Sequence, residues 1–348
     1  MGYESTNSVE IARSAMRVLN LQIALSGGGA EKVTELLAPH LQEQLDTFIR
    51  VGCLGNGANG KDTFVLTQKD STYAKVFLAP FRFSKLLREI KPDVLHVHCE
   101  RPEFTLALAS LLPYFPKKAQ MPKVFITEHT GRPWINSNLL GRMVRRRLAK
   151  LNAQWFTCIE GDTSKIFIPN PVQFLPKLTE SNGVPRVFAL GRLAKGKRVD
   201  LLIKYFQQIE GEFEFLIVGD GPERSYLENI AKSSPRVKFL GSATRPWDFI
   251  HEGDIYLSAS EYEGSPLALL EALSLGLQVL VSDIPAHREL LKPNSLFSTS
   301  EEFGSKLEGL LANRNVMSPN GDKVLSEQLI EARRPREVAE LWLREYRK

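Results

Sequence analysis

Several signatures of other protein classes are absent from this chain of 348 residues. Its three cysteines are an odd number without the spacing of a disulfide framework, which favours reduced thiols in a cytosolic setting. The longest apolar stretch, residues 267–281, is interrupted by Glu271 and Gln278, and no apolar segment follows a basic one near the N-terminus. We therefore expect neither a membrane span nor a signal peptide.

Metal-binding patterns are also scarce. The sequence contains no Asp-x-Asp pair. Three histidines and a glutamate could together suggest a metal site, but no cluster has the spacing usual for zinc. These residues are His96, His98, Glu100 and His129. We expect no bound metal.

The composition is that of a soluble globular protein, with 43% apolar and 24% charged residues. A net charge of +5 and a pI near 9.0 are a mild basic bias and not a nucleic-acid signature. The length is enough for two domains that each bury a core. Residues 169–185 include four prolines among polar residues without hydrophobic periodicity, so they are the best candidate for a linker.

The apolar pattern predicts strands that alternate with helices on both sides of this linker. Strands are predicted at residues 16–25, 92–98, 123–127, 155–159, 185–190, 213–218 and 236–240. Helices are predicted at residues 33–45, 81–90, 103–112, 138–151, 199–209 and 223–231. Such an alternation indicates parallel sheets with right-handed crossovers.

A glycine-rich turn follows the first predicted strand. The turn is Ser26-Gly-Gly-Gly-Ala-Glu-Lys32, and a helical pattern comes directly after it. Strand, glycine turn and helix in this order let backbone amides approach a phosphate at the start of the helix. A tight turn would select the same glycines without any ligand.

A second candidate phosphate site lies between two glutamates that stand eight positions apart, Glu263 and Glu271. Gly264 permits a tight turn, and Pro266 suits a first helical turn with Ser265 as its N-cap. Glu263 is then expected in a loop and Glu271 on a helix, with free backbone N–H groups between them. This arrangement suits the diphosphate of a nucleotide sugar, although a surface helix with an acidic first turn needs no ligand.

Several motifs, in this order, resemble those of the retaining family 4 glycosyltransferases, which have the GT-B fold. Residues 28–31 reproduce the family's G-G-A-E run, and residues 191–197 reproduce G-R-L-x-x-x-K. Residues 263–271 match its E-x7-E signature, which follows a strand that opens with Asp and closes with Ser. The resemblance covers most of residues 20–345 and is strongest over 185–290.

The resemblance implies a GT-B architecture, in which two Rossmann-like, doubly wound parallel-sheet domains face each other across a cleft. Residues 1–172 would form the N-terminal, acceptor-side domain. Residues 331–348 would complete that domain as a C-terminal helix that crosses back to it. Residues 173–330 would form the domain that binds the nucleotide-sugar donor.

The activity implied by the resemblance is transfer of a hexosyl or N-acetylhexosaminyl group to a hydroxyl of a glycan or lipid-linked acceptor in cell-surface polysaccharide assembly. A UDP-sugar is favoured over GDP-mannose as the donor. The mechanism would be retaining, with no metal and no cofactor, because cationic side chains and helix N-termini would offset the charge on the leaving diphosphate. Ser265 stands where the family often has a bulky aromatic residue, which leaves the donor sugar open.

The resemblance also implies roles for individual residues. The expected catalytic residues are His129, which would orient the sugar, Arg192, Lys197 and Glu263. The expected donor-binding residues are Gly28, Gly29, Leu240, Ser265, Pro266, Leu267 and Glu271. The residues expected on the acceptor or membrane side are Glu31, His98, Arg145, Arg146 and Arg147.

The helix predicted over residues 138–151 is basic and amphipathic. Its cations are Arg142, Arg145, Arg146, Arg147 and Lys150. A solvated helix that packs on the sheet explains this pattern, and a surface that meets anionic lipid is the alternative. We accordingly expect a cytoplasmic protein, with peripheral attachment at the inner face of the membrane as the alternative.

Two other classes of function stay open at this point. A GT-B epimerase or phosphorylase would share the fold, and consumption of a nucleotide sugar without an acceptor would distinguish it. A non-catalytic module for phosphate or nucleic acid would bind in a salt-sensitive way and turn nothing over. The E-x7-E, G-R-L-x-x-x-K and G-G-A-E motifs together argue against such a module, and we expect no nucleic-acid partner.

Overall fold

The computed structural model describes residues 14–54, 60–67, 72–130, 133–134, 138–159, 161–173, 175, 178–180, 183–312 and 330–348. The chain divides into two compact units. The first comprises Met1–Glu128, Pro133–Phe156 and Ala339–Lys348, and the second comprises His129–Arg132 and Thr157–Val338. The main division thus follows Phe156, earlier than the expected position at residue 172, and the C-terminal helix belongs to the first unit through most of its length.

The first sheet has seven strands in the order β3-β2-β1-β4-β5-β6-β7. The strands are β1 (Ser14–Gln22), β2 (Leu45–Gly52), β3 (Thr63–Val65), β4 (Val94–His98), β5 (Lys123–Glu128), β6 (Gln154–Thr157) and β7 (Ile166–Phe167). Four of its pairings, from β3 through β5, are parallel. The helices are α1 (Gly29–Gln44), α2 (Thr72–Ile90), α3 (Glu100–Ala109) and α4 (Asn138–Ala149).

The core of the first unit forms because β4 is buried on both of its faces. Its apolar residues pack with those of β1 and with the inner sides of α2, α3 and α4. On β4, His96 bonds through Nδ1 to the Tyr346 hydroxyl and through Nε2 to Thr127 Oγ1, each at 2.7 Å. These bonds satisfy a buried imidazole and attach the last helix of the chain to the first sheet.

The second sheet has six parallel strands in the order β10-β9-β8-β11-β12-β13. The strands are β8 (Arg186–Leu190), β9 (Glu214–Val218), β10 (Val237–Gly241), β11 (Ile255–Ser258), β12 (Gln278–Ser282) and β13 (Leu296–Phe297). The helices are α5 (Val199–Gln207), α6 (Arg224–Ala231), α7 (Leu267–Ser274), α8 (Pro285–Arg288) and α9 (Ser300–Ala312), and α10 (Pro335–Arg347) ends the chain. The direction of winding reverses between β8 and β11, where ligands bind in open α/β sheets.

The predicted alternation of strands and helices is confirmed, since every predicted strand and helix overlaps an observed one. The sequence analysis did not predict β7, β12, β13 or α8, and the other differences lie at the ends of elements. Helix α2 begins at Thr72, nine positions before the predicted start, because Pro80 is accommodated inside the helix. Helix α7 begins at Leu267 with Pro266 as its N-cap residue, so Ser265 is not the cap that we expected. In the part of the chain that the structure describes, no helix has both the length and the apolarity needed to cross a membrane.

Candidate active site

Two motif-bearing loops meet beyond the carboxyl ends of the adjacent strands β8 and β11. The loop after β8 contains residues 191–197, and the loop after β11 contains residues 259–266. The backbone N–H of Glu261 donates to the Gly196 carbonyl at 2.9 Å, which joins the two loops directly. The motifs therefore come together at the reversal point of the second sheet.

An ion pair connects two of the expected catalytic residues. Lys197 Nζ lies 2.5 Å from Glu263 Oε1, and the Ser260 hydroxyl donates to the same carboxylate oxygen at 2.7 Å. The Lys197 side chain is 40% exposed, whereas that of Glu263 is 14% exposed. The ammonium group is thus accessible from solvent while the carboxylate is held from within. Arg192 is exposed and has no side-chain partner among the described residues.

Two consecutive hydrogen bonds from the interior of the second unit support the Glu263 loop. The Ser282 hydroxyl donates to the Ser260 carbonyl at 2.7 Å, and His287 Nδ1 donates to the Ser282 carbonyl at 2.7 Å. His287 is fully buried, and burial lowers the pKa of its imidazole, which keeps the ring neutral. Sequence analysis missed both residues, because neither belongs to a recognised motif and only tertiary contacts bring them to the Glu263 loop.

The loop of Glu263 also lies against the segment of His129. A Cβ atom on Gly264 would fall on the His129 carbonyl oxygen, so only glycine permits this approach. His129 is half-buried, and its Nδ1 lies 3.7 Å from the Cys158 thiol sulfur. Burial lowers the pKa of His129 to about 4, so the ring is neutral at physiological pH. A neutral ring is suited to orienting a sugar hydroxyl.

We expect Gly264→Ala to lower activity because the added methyl group must displace either the Glu263 loop or the His129 segment. Displacements of about 1 Å in a catalytic site commonly cost about 100-fold in rate. Gly309→Ala is the matched control, since a Cβ atom there has open space within α9. Steady-state kinetics and thermal unfolding of both variants test this expectation, and a fully active Gly264→Ala protein would contradict it.

Glu271 lies on α7, as expected, but its side chain is buried. Its Oε2 accepts a hydrogen bond of 2.9 Å from the indole N–H of Trp247. Ser265 contributes its carbonyl to a bond from Asn170 Nδ2 at 3.4 Å, and Leu267 opens the helix. Leu240 is exposed near the end of the edge strand β10, where its expected contact with the donor stays a prediction.

In the first unit, Gly28 and Gly29 are exposed at the start of α1. Glu31 is buried, and its carboxylate occupies the position that a Cβ atom on Gly28 would need. The same carboxylate accepts a bond from the backbone N–H of Ala24 at 3.4 Å. The G-G-A-E run therefore forms the N-cap and first turn of α1, and its glutamate folds back on the preceding loop. Any contact with a ligand stays a prediction.

The other residues expected on the acceptor side differ in exposure. His98 is buried, with its Nε2 2.7 Å from Asn20 Nδ2. Arg145 bonds to Glu128 at 2.5 Å, and Arg147 bonds to the hydroxyl and carbonyl of Ser110. Arg146 is exposed, as are Arg142 on the same helix and Lys150 directly after it. Of the three arginines expected on the acceptor or membrane side, only Arg146 is therefore exposed.

Two carboxylates of α3, the half-buried Glu100 and the buried Glu103, accept hydrogen bonds from one tryptophan in the first unit. Trp134 donates from its indole N–H to Glu103 Oε2 at 2.9 Å and from its backbone N–H to Glu100 Oε1 at 3.0 Å. Burial raises the pKa of Glu103 to about 7, although the indole bond opposes this shift. Within the described ranges, no group of three or more His, Cys, Asp or Glu residues could hold a metal ion.

Glu103 gives a prediction for stability. Its folded-state pKa of about 7 exceeds the ordinary value of 4.5, so the folded protein binds the proton more tightly than the unfolded chain does. The free energy of unfolding should therefore fall as the pH rises from 4.5 to 7 and then level off. Glu103→Gln keeps an acceptor for Trp134 and should remove up to roughly 3 kcal/mol of this loss.

Urea denaturation between pH 5 and pH 8 measures the effect. Glu89→Gln is the control, because Glu89 is exposed on α2 in the same unit. An unchanged pH profile in the Glu103→Gln protein would show that Glu103 does not titrate in this range.

Two family models match the chain. One, described as glycosyltransferase family 4, matches residues 27–174, and the other, described as glycosyl transferases group 1, matches residues 184–313. The chain is 28% identical over 145 residues to the O-antigen biosynthesis glycosyltransferase WbnH of Escherichia coli, a match that covers 41% of this chain and 42% of that relative. It is 23% identical over 306 residues to the alpha-monoglucosyldiacylglycerol synthase of Acholeplasma laidlawii, a match that covers 73% of this chain and 75% of that relative.

The fold is also similar to a solved structure. HepE of Anabaena, crystallised with UDP-glucose, superposes with a TM-score of 0.74 at 15% identity, covering 95% of this chain and 100% of that one. Two parallel-sheet α/β units of this topology define a GT-B fold. With the two model matches, which lie in the first and second halves of the chain, the protein belongs to glycosyltransferase family 4.

Proposed function

We propose that this protein is a retaining, metal-independent glycosyltransferase that moves a sugar from a UDP-sugar to a hydroxyl of a glycan or lipid-linked acceptor. The observation that carries the proposal is the ion pair of Lys197 with Glu263 beyond β8 and β11, with Arg192 exposed on the same loop as Lys197. Two cations, a carboxylate and a helix N-terminus in one place match a donor with an anionic centre and a hydroxyl-rich end.

The leaving diphosphate gains negative charge as the glycosidic bond breaks. The guanidinium group of Arg192 has no side-chain partner among the described residues, and Lys197 has an exposed ammonium group that can contact a phosphate while it stays near Glu263. Helix α7 adds backbone N–H groups at its start, because its first intrahelical bond is donated by Leu270 to the Pro266 carbonyl. These groups supply the electrostatic stabilisation that a metal ion gives to other transferases.

Glu263 and Glu271 would bind the two ends of the donor. Glu263 is fixed by Lys197 and Ser260, so its carboxylate is ready to accept hydrogen bonds from sugar hydroxyls. Glu271, farther along α7, would accept bonds from the ribose diol. His129 is neutral and would orient the sugar, while the leaving phosphate oxygen takes the proton of the incoming acceptor hydroxyl.

The choice of donor and acceptor rests on similarity. HepE binds UDP-glucose in its crystal structure, and WbnH is an O-antigen biosynthesis enzyme. Both relationships favour a UDP-sugar and a glycan acceptor in polysaccharide assembly. The match spans only about two fifths of WbnH, so this similarity does not identify the sugar or the linkage. Both have to be determined by experiment.

The direct test is to incubate the protein with UDP-glucose, UDP-galactose, UDP-N-acetylglucosamine or GDP-mannose, with and without simple glycan and lipid-linked acceptors. We expect turnover of a UDP-sugar that needs an acceptor, persists in EDTA and gives a product with the donor's anomeric configuration by NMR. Consumption of the donor without an acceptor would favour an epimerase or phosphorylase. Loss of activity in EDTA that Mn²⁺ restores would contradict metal independence.

Arg192→Met and Lys197→Met should lower kcat more than they raise the KM of the donor, because charge on the diphosphate increases in the transition state. Loss of one charged hydrogen bond corresponds to roughly 1.5–3 kcal/mol, or about 10- to 150-fold in rate. Lys195→Met is the control, since Lys195 is an exposed cation on the same short 3-10 helix as Lys197. Normal kcat with a raised KM would mean that the two cations only hold the substrate.

A second part of the proposal concerns a lipid surface. Leu139 and Met143 on α4 are 67% and 60% exposed, and they accompany the exposed cations Arg142, Arg146 and Lys150. Exposed apolar residues beside cations suit the interface of an anionic bilayer. A relative in Acholeplasma laidlawii is named for the synthesis of a glycosyldiacylglycerol, which favours a lipid-linked acceptor.

Arg142→Glu combined with Arg146→Glu should abolish sedimentation with phosphatidylglycerol vesicles at physiological salt, because each cation near such a surface contributes about 1 kcal/mol. Arg145 and Arg147 are left intact, since their internal bonds would confound the result. The control pair is Lys232→Glu with Arg245→Glu, two exposed cations of the second unit. If the wild-type protein ignores these vesicles, α4 is a solvated face and the acceptor is soluble.

A further inference from the structure

Trp247 donates a hydrogen bond to Glu271 that the sequence analysis did not predict. It lies on a short 3-10 helix, Pro246–Phe249, between β10 and β11. Its indole N–H donates to Glu271 Oε2 at 2.9 Å, across 24 positions of sequence. Both side chains are buried, at 7% exposure each. Neither G-R-L-x-x-x-K nor E-x7-E includes this residue.

The indole ring is held in one orientation by its neighbours. Phe188 on β8 meets it edge to face, with ring centroids 5.9 Å apart and planes at 84°. Phe188 in turn contacts Tyr256 on β11, with centroids 5.5 Å apart. The direction of the Trp247 N–H group is therefore set by the core of the second unit.

A buried carboxylate depends on its hydrogen-bond donors for both energy and direction. When one oxygen accepts a bond from a rigid donor, that bond restricts rotation of the carboxylate and therefore the directions in which its remaining lone pairs point. Burial raises the pKa of Tyr256, and the carboxylates of Glu263 and Glu271 raise it further. Trp247 donates to Glu271 directly, from the aromatic core of the second unit.

We propose that Trp247 is a positioning residue that sets the preference of the donor site for ribose, because its N–H group aims the Glu271 carboxylate at the 2′- and 3′-hydroxyls of the nucleotide. This inference rests on the proposed function, which gives Glu271 the ribose diol. It adds that recognition of the diol depends on a residue that does not itself touch the nucleotide.

An ordinary packing role for Trp247 makes a different prediction. The residue also belongs to an apolar cluster with Phe188, Leu270 and Val279. If it only fills space, its replacement should weaken the binding of every nucleotide equally, through stability. If it aims Glu271, replacement should weaken only those nucleotides that possess the diol.

The test compares UDP with 2′,3′-dideoxyuridine diphosphate by isothermal titration calorimetry. Trp247→Phe keeps a buried ring and removes the N–H group. We expect the wild-type protein to bind UDP at least ten-fold more tightly than the dideoxy nucleotide. In Trp247→Phe this ratio should fall to three-fold or less, with the affinity for the dideoxy nucleotide nearly unchanged.

Further variants make the result independent of folding. Glu271→Gln should lower the same ratio, and the combination of both changes should lower it no further than either alone. Trp342→Phe, a buried tryptophan of the first unit, is the packing control and should leave the ratio unchanged. If Trp247→Phe fails to fold, Trp247→His offers an N–H group on a smaller ring and should retain more of the ratio than Trp247→Leu does.

The outcomes separate this inference from the proposed function. If the wild-type protein binds no nucleoside diphosphate, the proposed function fails and this inference fails with it. If UDP binds but the dideoxy nucleotide binds equally well, or if Trp247→Phe keeps the wild-type ratio, the proposed function stands and the role of Trp247 is wrong.

Discussion

The ion pair between Lys197 and Glu263 is the interaction on which the second unit's site depends. It closes the gap between the loops that follow two adjacent strands, β8 and β11, and a backbone bond from Glu261 to Gly196 reinforces it. The carboxylate is held by Ser260, which is supported by Ser282 and His287. A half-exposed pair in water would contribute little to stability, so its value lies in fixing the positions of two charged groups.

The two cations of this site differ in whether they already have a carboxylate partner. Lys197 already has a carboxylate partner, whereas Arg192 has none among the described residues. On the proposed function, the diphosphate of the donor would pair with the Arg192 guanidinium group and would compete with Glu263 for the Lys197 ammonium group. Once Lys197 pairs with the diphosphate, the Glu263 carboxylate would be free to accept hydrogen bonds from the sugar. Movement of one ammonium group would thus complete the binding of both the diphosphate and the sugar.

Much of the fold follows from local patterns, because each buried strand and each amphipathic helix is specified by residues close in sequence. The positions of Arg192, Lys197, Glu263 and Glu271 on their elements could be predicted in the same way. The bond from Trp247 to Glu271 and the support from His287 could not, since tertiary packing alone brings such distant residues together. Nor could the burial of Glu31, whose carboxylate turns back into the space left open by a glycine.

The most direct measurement of this account uses Glu263→Gln and compares its affinity for UDP with its rate of sugar transfer. If the Glu263 carboxylate competes with the diphosphate for Lys197 and then accepts hydrogen bonds from the sugar, the variant should bind UDP at least as tightly as the wild-type protein does. Its kcat should nevertheless fall by about ten-fold or more, as expected for the loss of a charged hydrogen bond. Equal losses of UDP affinity and of kcat/KM, or an unchanged rate of transfer, would contradict the account.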